Sequence, residues 1–176
     1  MALRYYDLDE ETRTQMLSEI DRDAASRSLY TSGYFSSDGA DRYPELLRAA
    51  AVDGSDATLA DALATTPGMF VSHYEKRKPT GGTTFAKVPV TAPTTCAEGE
   101  FNRFYIRALC LRVLERGGGV VEVYRARESS WARPESEALV GTRIDAAELL
   151  EDLRAHIGGA PTLLPEVNSG LSVRLV

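Results

Sequence analysis

The sequence predicts an α+β fold: a helical N-terminal region over residues 1–68, then an α+β region over residues 69–176, together one compact domain. Three observations predict it. Apolar residues in the first third recur at helical spacing. From Met69 the texture changes to short runs rich in Val, Thr and aromatic residues, broken by Pro and Gly. Two strong helical patterns, each closed by glycines, then alternate with strand-like segments. With only about three to four strands the sheet is too small for a doubly wound fold, so a small sheet packed with two helices is expected.

Taken in order, "DLDEETRTQMLSEIDRDAASR" has Asp7 or Asp9 as N-cap and acidic residues in its first turn, which suit the positive end of a helix dipole. Met16, Leu17, Ile20 and Ala24 mark its apolar stripe. Residues 27–40 break the period; Gly33, Ser36, Ser37, Asp38 and Gly39 read as turn formers around the aromatic anchors Tyr30, Tyr34 and Phe35. A second helix starts near Asp41 with Tyr43, Leu46, Leu47 and Ala50 on one face, and a short third follows until Pro67-Gly68. "MFVSHYE" reads as a strand, "KRKPTGGTT" as a basic loop, and "FAKVPV", carrying Pro89, as an edge strand at most.

The long helix of this region is "CAEGEFNRFYIRALCLRVLER". Its N-cap is expected at Thr94 or Thr95, with Glu98 completing a capping box on Thr95. Gly117 to Gly119 end it. "VVEVYRARE" is the clearest strand, with Val121 and Val123 facing one way and Val120, Glu122, Tyr124 and Ala126 the other. "SSWARPESEALVGTR" has no period and reads as loop. The last helix is capped by Asp145, buries Leu149, Leu150, Leu153 and Ile157, and stops at Gly158-Gly159; "LSVRLV" is a final strand.

The composition, 43% hydrophobic and 26% charged, is that of an ordinary globular domain and speaks against a disordered chain. No apolar run approaches the ~18 residues of a membrane span, and the acidic start "MALRYYDLDEETR" has no signal-peptide core, so a cytoplasmic protein without membrane contact is expected. Cys96 and Cys110, on one helix, stand about 21 Å apart at ~1.5 Å rise per residue, too far for a disulfide.

The net charge of −6 is unevenly laid out: residues 1–72 carry −7, residues 73–133 carry +5, and residues 134–176 carry −4. A basic middle attracts phosphate or nucleic acid, or it pairs with the acidic ends, within one molecule or between copies. Pairing is the favoured reading, because the overall charge repels a polyanion at long range.

Three constellations stand out. Glu100, Arg103 and Arg107 form one polar stripe on an otherwise apolar helix. It is either a surface stripe with Glu100–Arg103 pairing, or a buried one whose guanidiniums need partners, with Glu122, Glu135 and Glu137 as candidate carboxylates. Around the strand end, Arg125, Arg127, Trp131, Arg133 and Glu135 suggest an ion-paired loop, an anion pocket or a subunit contact. Lys76, Arg77 and Lys78 precede a Gly-Gly turn that does not match a phosphate-binding loop motif and reads better as an exposed basic arm.

Catalytic signals are thin. A helix-turn-helix reading of residues 46–64 fails on charge, because the second helix carries Asp56 and Asp61 and no Lys or Arg. Cys96 near a helix start, paired with His73, would make a nucleophile only if its thiol pKa were lowered. Glu98, Glu100 and Glu122 with Lys87 would be the parts of a metal nuclease, but no acidic-x-Lys pair supports it.

No cofactor, structural metal or catalytic residue is therefore expected. The function expected is a non-catalytic assembly or interaction protein that self-associates through complementary charge or docks on a larger complex. A structural subunit of a phage or mobile element fits that description. The alternative is a small phosphate-ligand or nucleic-acid-binding protein, or a metal-dependent nuclease, using the Arg-rich middle.

Overall fold

The computed structural model describes residues 2–128, 134–165 and 169–176. Its elements run α1 (Glu10–Ala25), α2 (Ser37–Asp53), α3 (Asp56–Thr65), β1 (His73–Arg77), β2 (Thr83–Lys87), α4 (Ala92–Glu115), β3 (Val120–Arg125), α5 (Pro134–Leu139), β4 (Arg143–Asp145), α6 (Ala146–Ala155) and β5 (Leu171–Arg174). The α+β expectation holds: three helices lead, and two small antiparallel sheets follow. One sheet is the β1–β2 hairpin; the other has the order β4-β3-β5.

The molecule is built around α4. Every residue from Cys96 to Cys110 is buried. A helix buried all round needs neighbours on every side, and α1, α3, α6 and the three-stranded sheet supply them. Val121 and Val123 of β3 join the main core, while Tyr124 and Ala126 on the opposite face are covered by Leu3. The main-chain N–H of Arg4 donates to Ala126 O at 2.9 Å, so the N-terminal segment closes the far side of the sheet. Buried Asn102 ties α4 to the sheet edge: its Nδ2 donates to Leu171 O at 2.8 Å, and its Oδ1 accepts from the Ser172 hydroxyl at 2.6 Å.

Several element boundaries differ from expectation. Helix α2 begins at Ser37, not near Asp41. The Ser36 hydroxyl caps it by accepting from Gly39 N at 2.9 Å, and Gly39 permits a close approach, since a Cβ there would lie 2.0 Å from Met69 O. Ser, Asp and Gly favour helix starts as much as turns, so the 36–39 stretch was ambiguous on composition.

Helix α4 begins at Ala92 after Thr91, so the Thr95 capping box does not form; Pro93 sits in the first turn, where its missing N–H costs nothing. Residues 134–143, expected as loop, hold α5 and the first residue of β4. "KRKPTGGTT" is not a free loop: Lys76 and Arg77 end β1, and the turn closes through Gly81 and Gly82, both at positive φ. Asp145 caps α6 as expected, accepting from Ala147 N at 2.9 Å and Glu148 N at 3.1 Å. Among the described residues no helix is long and apolar enough to cross a membrane.

Candidate functional site

The polar stripe of α4 is not on the surface. Arg107 is 0% exposed and Arg103 1%. Arg107 makes a bidentate pair with Asp23, at 2.6 and 2.9 Å, while its Nε donates to Glu19 at 2.6 Å. Glu19 also receives Arg154 of α6, so one carboxylate links three helices. Burial pushes the Glu19 carboxyl up, but hydrogen bonds and charge from Arg154 and Arg107 outweigh it and hold it below the usual carboxylate range.

The partners are protein carboxylates, but not those expected. Glu122 cannot serve, because strand register places it opposite Arg174 on β5 and Arg143 on β4, and it pairs with both. Glu137 takes Arg125 at 2.6 Å, and Glu135 is exposed in the first turn of α5. The true counterparts, Glu19 and Asp23, sit three and seven residues after Met16 on the buried side of α1. That spacing was the available signal: two carboxylates on an apolar stripe need buried cations.

Arg103 has a different environment. Its Nη1 donates to Leu153 O at 3.3 Å and His156 O at 2.8 Å, and its Nη2 to Gly159 O at 3.1 Å. The Leu153 and His156 carbonyls close the C-terminal end of α6, the negative end of its dipole, and Gly159 follows it, so Arg103 acts as a buried cap from another helix. Its Nε stands 3.5 Å from Glu100 Oε1, outside hydrogen-bonding geometry, and both Arg103 Nε and Glu100 Oε2 lack a hydrogen-bond partner. Burial raises the Glu100 carboxyl to about 7, against the opposing pull of Arg103 and Arg107.

A cavity of about 440 Å³ opens beside this pair. Its walls come from the first two turns of α4, the loop around Tyr30 and Tyr34, and the Gly158–Ala160 segment after α6. Gly158 is at positive φ, and a Cβ there would fall 2.6 Å from the Tyr30 ring, so glycine lets that ring form a wall. Tyr34 in turn meets Tyr74 of β1 edge-on at 4.8 Å. None of this was legible as a site in the sequence, which offered Tyr30 and Tyr34 only as loop anchors.

The remaining candidates scatter. Arg125 pairs with Glu137 and Arg127 with Glu98, on different elements. Trp131 and Arg133 lie outside the described residues. Lys76, Arg77 and Lys78 project on the β1–β2 arm, where every residue from Glu75 to Phe85 is exposed. Arg112, not singled out from the sequence, ties α4 to the start of α1 through Asp9, Thr12 and Glu11. The basic middle thus meets the acidic N-terminal region within one molecule.

The Cys96 nucleophile reading is corrected: burial, with the Glu100 charge beside it, pushes the thiol up to about 12. Glu98 and Glu122 each pair with other arginines, and among the described residues no group of three His, Cys, Asp or Glu side chains is arranged to hold a metal ion. No protein-family model, no curated protein and no solved structure matches this chain.

Proposed function

We propose that this chain is a non-catalytic assembly protein that self-associates through complementary charge. Its contact element is the β1–β2 arm. One observation carries the reading. Arg103, Arg107, Arg112, Arg125 and Arg154 each have an ion-pair or hydrogen-bond partner inside the molecule, whereas among the described residues no ion pair engages Lys76, Arg77, Lys78 or Lys87 of the arm. A two-stranded hairpin is marginal alone, and this one exposes Phe85 at 76%, with Val90 at 96% just beyond its base. An exposed aromatic side chain suits the anchor of a contact surface, and the cations around it suit an acidic partner.

The complementary surface is an acidic stripe on α2. Asp38, Asp41 and Glu45 are exposed at i, i+3, i+7 spacing, and no ion pair among the described residues engages them. Arm on stripe joins two different surfaces, so it closes as a reciprocal two-fold dimer where both contacts form at once and builds rings or filaments where they do not. The arm's flexible cations match carboxylates as point charges.

The test is light scattering after size exclusion at low and high salt, on the wild-type chain and on a Lys76→Glu/Arg77→Glu/Lys78→Glu variant. Salt-sensitive oligomers that the variant loses, and that an Asp38→Lys/Asp41→Lys/Glu45→Lys partner restores on mixing, are the expected result. A monomer at every concentration and salt, or oligomers indifferent to the arm, overturns the reading. Retention of a labelled DNA by the arm in place of self-association supports the nucleic-acid alternative instead.

A further inference from the structure

We propose that the cavity beside Glu100 binds a small, flat, neutral molecule through a carboxamide-type head, one that presents a donor and an acceptor side by side. This is independent of the arm and of self-association.

The argument starts from unsatisfied atoms. Buried polar atoms without partners are uncommon, because each forfeits its hydration. Glu100 Oε2 and Arg103 Nε are two such atoms, on adjacent turns of one helix, and both residues line the same cavity. The Tyr43 hydroxyl is a third, within electrostatic reach of both. An acceptor and a donor stand together without a partner in the protein, so a group that reaches them from the cavity would satisfy both. A carboxamide does so: its N–H donates to Glu100 and its carbonyl accepts from Arg103 Nε.

Charge selects the neutral head. A phosphate or carboxylate wants the guanidinium fork, but both Nη atoms of Arg103 are committed to the carbonyls of Leu153, His156 and Gly159. An anion would also face the Glu100 carboxyl. A cation would be pressed against the Arg103 guanidinium, which has no bidentate carboxylate to neutralise it.

Shape selects the body. The Tyr30 and Tyr34 rings, with Pro89 and Ala92, give apolar walls. The volume of about 440 Å³ lies in the roughly 300–1,000 Å³ range of small-molecule sites. An aromatic ring of the ligand packs between such walls by offset or edge contacts.

The experiment uses one body with three heads: benzamide, benzylamine and benzoate, titrated against the full chain by ligand-observed NMR. Benzamide is expected to saturate and to bind about tenfold more tightly than either charged analogue, the worth of one hydrogen bond to a charged group. Two blocking variants, Thr95→Trp and Ala160→Trp, put a large ring at exposed lining positions on α4 and after α6, while Thr94→Trp changes an exposed neighbour that does not line the cavity. Loss of benzamide binding in either folded blocking variant and its retention in Thr94→Trp support the assignment. Overturning results are absence of benzamide binding, binding of benzylamine or benzoate at least as tight, or benzamide binding that both blocking variants retain.

Discussion

Helix α4 and the β1–β2 arm both lie in the basic middle of the sequence and are opposite in fate. The arginines of α4 face carboxylates or carbonyls fixed by α1 and α6. The cations of the arm face solvent. The same residue class therefore does two jobs. Buried, it locks helices together, because removing a partner leaves an uncompensated charge. Exposed, it contributes little to stability and is free to meet another surface.

The largest test of this contrast is Arg107→Ala. It strands Glu19 and Asp23 in the core and should cost about 3–5 kcal/mol by urea denaturation. Replacing all three with apolar residues of similar volume should recover most of that loss. A loss under 1 kcal/mol, as for an ordinary surface pair, would erase the distinction between the two regions.

Next comes Glu100. Its carboxyl titrates near 7 in the folded chain against an ordinary 4.5, so the folded state binds the proton more tightly. Stability should then be highest below about 4.5, fall as pH rises toward 7, and level off above, by roughly 3 kcal/mol at most. Glu19, Asp9 and Asp152, held below their ordinary values, add the opposite slope at more acid pH. Unfolding midpoints at pH 5 and pH 8 read this directly, and Glu100→Gln should flatten the difference. An unchanged slope in that variant would assign the effect to another group.

Asn102→Ala should cost about 2 kcal/mol, because it leaves the buried Ser172 hydroxyl and Leu171 carbonyl without their partner. The smallest effect belongs to the arm. Lys76→Glu or Phe85→Ser should change stability by no more than ~0.5 kcal/mol while altering the oligomer distribution. A marked fall in thermal stability would show instead that the arm is part of the folded core's support.

By itself the sequence determined the class of the fold and most helices. Local signals decide those: the Asp9 and Asp145 caps, the Gly117 to Gly119 stop, and the 3.6-residue period of α1 and α6. It also posed, without deciding, whether Arg107 amid apolar residues is buried, in which case a guanidinium needs a partner. Which partner it has, and that Arg103 caps α6 instead of meeting a carboxylate, was decided only by tertiary packing. Glu19 lies 88 residues from Arg107, and no local pattern ranks it above Glu122. The cavity was likewise invisible, because its walls come from three segments that only the packed fold brings around Glu100.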